Sequence, residues 1–212
     1  MKIELDDHFR PSKIVCVGRN YAEHAAELGN EVPTAPLLFL KAPSAIIFND
    51  DAIVIPDQSR RVEHEGELAV VIGRAAKDVG DDENALDYIR GYCCLNDVTA
   101  RDIQRADVQF TRAKSFDTFC PVGPWLESDL DPGDIRVTTA VNGDVRQDAR
   151  TSQMVFPVDF LVRYVSRQMT LLPGDIIATG TASGVGPLEP GDTVEVTIEG
   201  IGTLRNPVIA KT

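Results

Sequence analysis

Three features of the sequence predict an α+β fold dominated by mixed and antiparallel β-sheet. The tripeptide Pro-Gly-Asp occurs at 132–134, 173–175 and 190–192, each time ahead of a β-type run. Asn142-Gly143 follows the first of these runs, and Asn-Gly between apolar stretches is a strong two-residue hairpin signal. Helical patterns are few and do not alternate regularly with strands, which argues against a doubly wound parallel sheet.

The elements follow in chain order. Tyr21 to Leu28 is rich in Ala and Glu and stops at Gly29, as a short helix would. The apolar, β-branched tail of Val62 to Gly73, closed by glycine, is a buried-strand signal. Glu83 to Arg90 and Thr99 to Asp107 read as short helices on either side of an apolar strand that leads to Asp97. The three Pro-Gly-Asp turns precede Ile135–Val141, Ile176–Thr179 and Thr193–Ile198, and their unequal spacing marks repeated turn chemistry, not a repeat architecture. Pro157 to Gln168 is the longest helical pattern, with Phe160, Leu161, Tyr164 and Val165 on one stripe. Gly200-Ile201-Gly202 turns the chain into a last short strand.

The chain has 212 residues, 43% hydrophobic and 25% charged, enough for one large domain or two small ones. No stretch approaches the roughly 20 apolar residues of a membrane helix. Met1 to Arg10 is charged and carries no signal-peptide pattern, so a cytoplasmic location without membrane contact is expected. A net charge of −12 without a basic run argues against nucleic-acid partners. It would also repel anionic substrates, so an enzyme acting on acids needs a local positive focus. Cys16, Cys93, Cys94 and Cys120 form no C-x-x-C and no zinc spacing, and are expected as buried free thiols. Adjacent Cys93 and Cys94 should face opposite sides of a strand.

The chemistry starts at His64-Glu65-Gly66-Glu67-Leu68. On a strand Glu65 and Glu67 share a face, and two carboxylates beside a buried strand repel each other and are costly to desolvate. A hard cation with oxygen ligands resolves both problems, and Gly66 would let a backbone or ligand approach closely. Asp97, at the end of the next apolar strand, is the candidate third ligand. The bland alternative is a solvated edge face at Glu65 and Glu67 and a helix cap at Asp97. A cupin-like site is excluded by the lack of an H-x-H pair among only three histidines.

The chain resembles the fumarylacetoacetate hydrolase family, in particular its short branch of acylpyruvases and oxaloacetate decarboxylases. The resemblance rests on Val17-Gly18-Arg19-Asn20-Tyr21, Glu23-His24, Phe39-Leu40-Lys41, His64-Glu65-Gly66-Glu67-Leu68, Asn96-Asp97-Val98-Thr99-Ala100-Arg101-Asp102, Lys114-Ser115-Phe116-Asp117 and Gly180-Thr181-Ala182-Ser183-Gly184-Val185-Gly186, in family order from about residue 12 onward. It implies the family's β-rich mixed β-sandwich roll as a single catalytic domain over 1–212, with a short lead-in at 1–12 and no room for an added N-terminal domain. It further implies a homodimer, a small anionic keto-acid substrate, and Mg²⁺ or Mn²⁺ (Ca²⁺ as a substitute in crystals) held by Glu65, Glu67 and Asp97.

Site roles come from the same matches. His24 and Glu27, three apart on a helix, resemble the family's water-activating dyad, a carboxylate-oriented general base. Lys114 would stabilise negative charge on the substrate. Arg19, Arg101, Gln104 and Thr181 are candidate substrate-binding residues, with Arg101 equally suited to bracing the Asp97 loop. The leading expectation is metal-dependent hydrolysis of the C–C bond of acylpyruvates, such as acetylpyruvate or fumarylpyruvate, to pyruvate and a carboxylic acid. The alternative is an oxaloacetate decarboxylase or tautomerase, or an isomerase/decarboxylase of aromatic catabolism, on the same scaffold.

Overall fold

The computed structural model describes residues 1–27 and 29–211, and it is strand-rich with few helices, as expected. The main sheet has eight strands. Its linear order runs Lys2–Glu4, Cys120–Glu127, Ile89–Asn96, Gly66–Ile72, Ile176–Thr181, Ile14–Gly18, Leu37–Lys41, with Ile46–Ile47 added in parallel to Cys120–Glu127. Most pairs are antiparallel, while Ile14–Gly18 and Ile176–Thr181 run parallel, so the sheet is mixed. A five-stranded sheet of order Asp144–Arg150, Arg136–Val141, Thr193–Ile198, Gly202–Ala210, Ile53–Ile55 lies against it. Gly186–Pro187, Val62–His64 and Thr99–Ala100 form a small third sheet.

Alternation along Gly66–Ile72 explains the core. Leu68, Val70 and Ile72 face a cluster that includes Val137, Val196 and Leu204 of the second sheet and Leu161, Val162 and Val165 of the long helix. Ala69 and Val71 face a second cluster with Ile14, Cys16 and Leu95 on the other side. Cys94 joins the first cluster and Cys93 the second, as the strand pattern required, and all four cysteines are buried and free. Burying both faces of this strand is what makes its sequence read as a continuous apolar run.

All three Pro-Gly-Asp turns precede strands, and Asn142-Gly143 closes a hairpin in which Val141 pairs with Asp144. Several expectations need correction. Glu83 to Arg90 yields only the 3-10 turn Ala85–Tyr88, capped by the Asn84 side chain, because Ile89 already belongs to a strand. The helix after Asp97 is Arg101–Ala106, and Thr99–Ala100 is a strand. The first helix is Ala22–Glu27, and Leu28 lies outside the described residues. Helix Val158–Gln168 buries Val158, Leu161, Val162 and Val165, whereas exposed Phe160 stacks between Phe156 and Tyr164. The final strand, Gly202–Ala210, is nine residues long and not short. Among the described residues, no helix is long and apolar enough to cross a membrane.

Candidate metal centre and active-site cavity

Val62 to Gly73 is not one strand but two. The chain leaves the small sheet after His64 and joins the main sheet at Gly66, so Glu65 sits at the crossing between them. Its backbone is held there by neighbours of the next ligand: Glu65 N donates to Asn96 Oδ1 (3.0 Å), and Asp97 N donates to Glu65 O (2.8 Å). A local break therefore does what strand alternation was expected to do. Glu65, Glu67 and Asp97 each present a carboxylate oxygen within 4.8 Å of the others. They are 5%, 3% and 0% exposed and line a cavity of about 380 Å³ together with His24, Glu27 and Lys114.

The three carboxylates are not equivalent. Lys114 Nζ donates to Glu65 Oε2 (2.7 Å) and Asp97 Oδ2 (2.6 Å), and Lys41 Nζ donates to Asp97 Oδ1 (2.6 Å). Arg101 Nη2 donates to Glu65 Oε1 (2.6 Å). Burial alone would raise the Glu65 carboxyl, but the Lys114 and Arg101 charges outweigh it and hold it well below the carboxylate range. The same carboxylates hold Lys114 charged against its burial. Among the described residues Glu67 has no cation bonded to it, and its carboxylate accepts from the Gly180 N–H (2.8 Å to Oε2). Burial and the nearby Asp97 and Glu65 charges push its carboxyl well above the ordinary value.

That N–H is aimed by a β-bulge between Ala178 and Thr181, where Gly180 adopts φ +98°. A Cβ at Gly180 would fall 2.7 Å from Asn20 Cβ, so only glycine fits.

The donor set fits a hard divalent cation. It consists of oxygen atoms only, it is buried, and among the described residues no protein cation bonds Glu67, whose ionised form a dication would stabilise. Four buried carboxylates, counting Glu63, face three buried cations, Lys41, Lys114 and Arg101. One dication would make the floor of the cavity net positive, the local focus that an acidic protein needs for an anionic substrate.

The remaining expected residues fall in two groups. His24 Nδ1 lies 3.3 Å from Glu27 Oε2, and Glu27 also accepts from the Gly184 N–H (3.0 Å), so the dyad is formed at the cavity's rim. Arg19 and Gln104 line the cavity, and Arg19 is held at φ +58°, an uncommon and costly conformation for a side chain of its size. Arg101 also lines it, but its guanidinium is committed to Glu63 (2.7 Å), Glu65 and Gln104 (2.5 Å), so it braces the floor. The Thr181 hydroxyl donates to Gly66 O (2.9 Å) and accepts from Gln147 (2.7 Å), which leaves it no proton for an oxyanion. Buried neighbours thus claim the donors of both, and the contacts of Arg101 are those of the bracing alternative.

Sequence reasoning missed Lys41, Glu63, Arg105 and Gln147. Lys41 had a signal, a lysine ending the apolar strand Leu37–Lys41. Gln147 had none, because its strand is otherwise a polar surface strand.

The sequence model of the family described as "Fumarylacetoacetate (FAA) hydrolase C-terminal" matches residues 13–209. The chain belongs to the fumarylacetoacetate hydrolase family. It is 42% identical to the oxaloacetate tautomerase YisK of Bacillus subtilis over 94% of this chain and 70% of that protein. It is likewise 42% identical to the mitochondrial oxaloacetate decarboxylase of Dictyostelium discoideum, over 90% of each. The crystal structure of 5-carboxymethyl-2-hydroxymuconate delta-isomerase from Mycobacterium smegmatis superposes with a TM-score of 0.90 at 53% identity, covering 96% of this chain and 81% of that one.

Proposed function

We propose that this protein is a divalent-metal-dependent enzyme that forms and collapses the enolate of a small 2-keto diacid of the oxaloacetate type. Tautomerisation and decarboxylation would be its two outcomes. The observation that carries this reading is the buried Glu65–Glu67–Asp97 trio opening on one cavity with Lys114 bonded to two of its members. The tautomerase and decarboxylase relatives support oxaloacetate among the keto acids such a site suits.

Glu65, Glu67 and Asp97 would hold Mg²⁺ or Mn²⁺. When bound, the ion supplies positive charge to the 2-keto and adjacent carboxylate oxygens and so lowers the cost of an enolate. Lys114, kept charged by its two carboxylates, adds a second positive group beside that oxygen. His24 turns Nδ1 toward Glu27, so Nε2 is the atom left to take a proton from the substrate's C3 and return it. Val17, Leu37, Phe39 and Phe110 supply apolar wall and limit water. Arg19 and Arg105 line the cavity without an ion pair among the described residues, and would receive the second carboxylate. A homodimer is part of the proposal, on the family resemblance alone.

Acylpyruvate hydrolysis is the second reading, favoured by the formed His24–Glu27 dyad, which suits activation of water. Purified protein with Mn²⁺ should be assayed in parallel on enol-oxaloacetate, on keto-oxaloacetate for CO₂ release, and on acetylpyruvate and fumarylpyruvate. Fast loss of the enol or release of CO₂ is expected. Turnover of an acylpyruvate with neither oxaloacetate reaction would replace the first reading by the second.

A further inference from the structure

The second sheet reaches into the metal centre at one point. Gln147, on strand Asp144–Arg150, is buried although its strand neighbours Arg146 and Asp148 are exposed. Its amide is fully used. Oε1 accepts from the Gly66 N–H (3.0 Å) and lies 3.3 Å from His64 Nδ1, while Nε2 donates to Thr181 Oγ1 (2.7 Å) and Ala182 O (2.8 Å). Thr181 Oγ1 in turn donates to Gly66 O (2.9 Å). Both backbone groups of the residue between Glu65 and Glu67 are thus fixed, one by Gln147 directly and one through Thr181.

Two independent contacts show how closely this sheet is pressed on the site. A Cβ at Gly66 would fall 2.0 Å from Thr139 Oγ1, so the close approach that Gly66 permits is by Thr139 of the second sheet. A Cβ at Gly184 would fall 2.0 Å from Arg146 O. Gly184 is the residue whose N–H holds Glu27, and Ala182, two residues earlier, is bonded to Gln147.

We infer that Gln147 is a positioning residue, which pre-sets the Glu65–Gly66–Glu67 segment for the cation and fixes the 182–184 loop that holds the His24–Glu27 dyad. It acts through other groups and touches neither ion nor substrate. The inference rests on the reading of the three carboxylates as metal ligands. Groups that orient metal ligands typically account for about 10–100-fold in metal affinity.

Gln147→Met keeps the side chain's length and removes its four polar contacts. The expected result is Mn²⁺ affinity, measured by calorimetry, weaker by about 10–100-fold in a protein that keeps its circular dichroism. Unchanged Mn²⁺ affinity with only a lower Tm would reduce Gln147 to a structural role and overturn the inference. Wild-type protein that binds no Mn²⁺ would instead overturn the metal reading beneath it. A measurement on wild-type protein covers the case in which the variant does not fold. The Gly66 amide should be protected from hydrogen exchange in chelator-treated protein before any Mn²⁺ is added, and protection that appears only with the ion would contradict pre-setting.

Discussion

Glu65, Glu67 and Asp97 hang from strand ends at the closed floor of the cavity, whereas Glu27 sits on a six-residue helix at its rim with its side chain 35% exposed. Two of the three floor carboxylates, Glu65 and Asp97, are cross-braced by Lys41, Lys114 and Arg101, all buried. The rim dyad has one backbone contact, from Gly184, and Arg19 and Arg105 nearby have no ion pair among the described residues. Buried charges of this kind are costly unless paired, and groups held in fixed pairs are poor at moving protons or adapting to a ligand. The floor can therefore fix where the keto-acid end of a substrate sits. The rim is free to decide what happens to the rest of it.

This division ranks the expected effects of substitution. Asp97→Asn should abolish Mn²⁺ binding and lower turnover of oxaloacetate by about three orders of magnitude, the worth of several kcal/mol of charge stabilisation. Lys114→Met leaves Glu65 and Asp97 short of a buried partner. It should cost about 3–5 kcal/mol of stability and on the order of a hundred-fold or more in kcat, read by denaturant melts and steady-state kinetics. Glu27→Gln, at the rim, should lose about a hundred-fold in kcat with Mn²⁺ affinity intact. If it weakened Mn²⁺ binding as Asp97→Asn does, floor and rim would not be separate.

A smaller effect has an unusual sign. The Glu67 carboxyl is raised by burial and by Asp97 and Glu65, so the folded, metal-free protein keeps a proton there that the unfolded chain has released. Stability from that proton is complete below the ordinary carboxylate range and is lost as pH rises toward the raised value. Glu67→Gln should therefore raise the Tm of chelator-treated protein at about pH 8, by roughly 2–4 °C for each kcal/mol regained, while removing the Tm increase that Mn²⁺ gives the wild type. Smallest of all, Arg136→Ala breaks an exposed pair with Asp148 and should change stability by no more than about 1 kcal/mol.

The floor was more legible in the sequence than the rim or the second sheet, for physical reasons. Carboxylates in an apolar strand conflict with their surroundings, so Glu65 and Glu67 announce themselves, and Asp97 stands at the end of a similar strand. The Pro-Gly-Asp and Asn-Gly turns are local chemistry and located the strands around them. What failed was longer in range. The break at Glu65 depends on Asn96 and Asp97, some thirty residues on, and no local pattern encodes it. Arg101 and Thr181 are polar residues in motifs, but what occupies them is settled by partners on other strands. Gln147 reads as surface because its neighbours are.

The central claim is that the buried trio binds one divalent cation, and Glu67 is the member to which no counter-charge is bonded among the described residues. Titration of chelator-treated wild type and Glu67→Gln with Mn²⁺ by calorimetry tests it most directly. Saturable binding of one ion per chain in the wild type, lost in the variant while its fold persists, is the predicted result. No saturable binding in the wild type, or equal binding by the variant, would contradict it.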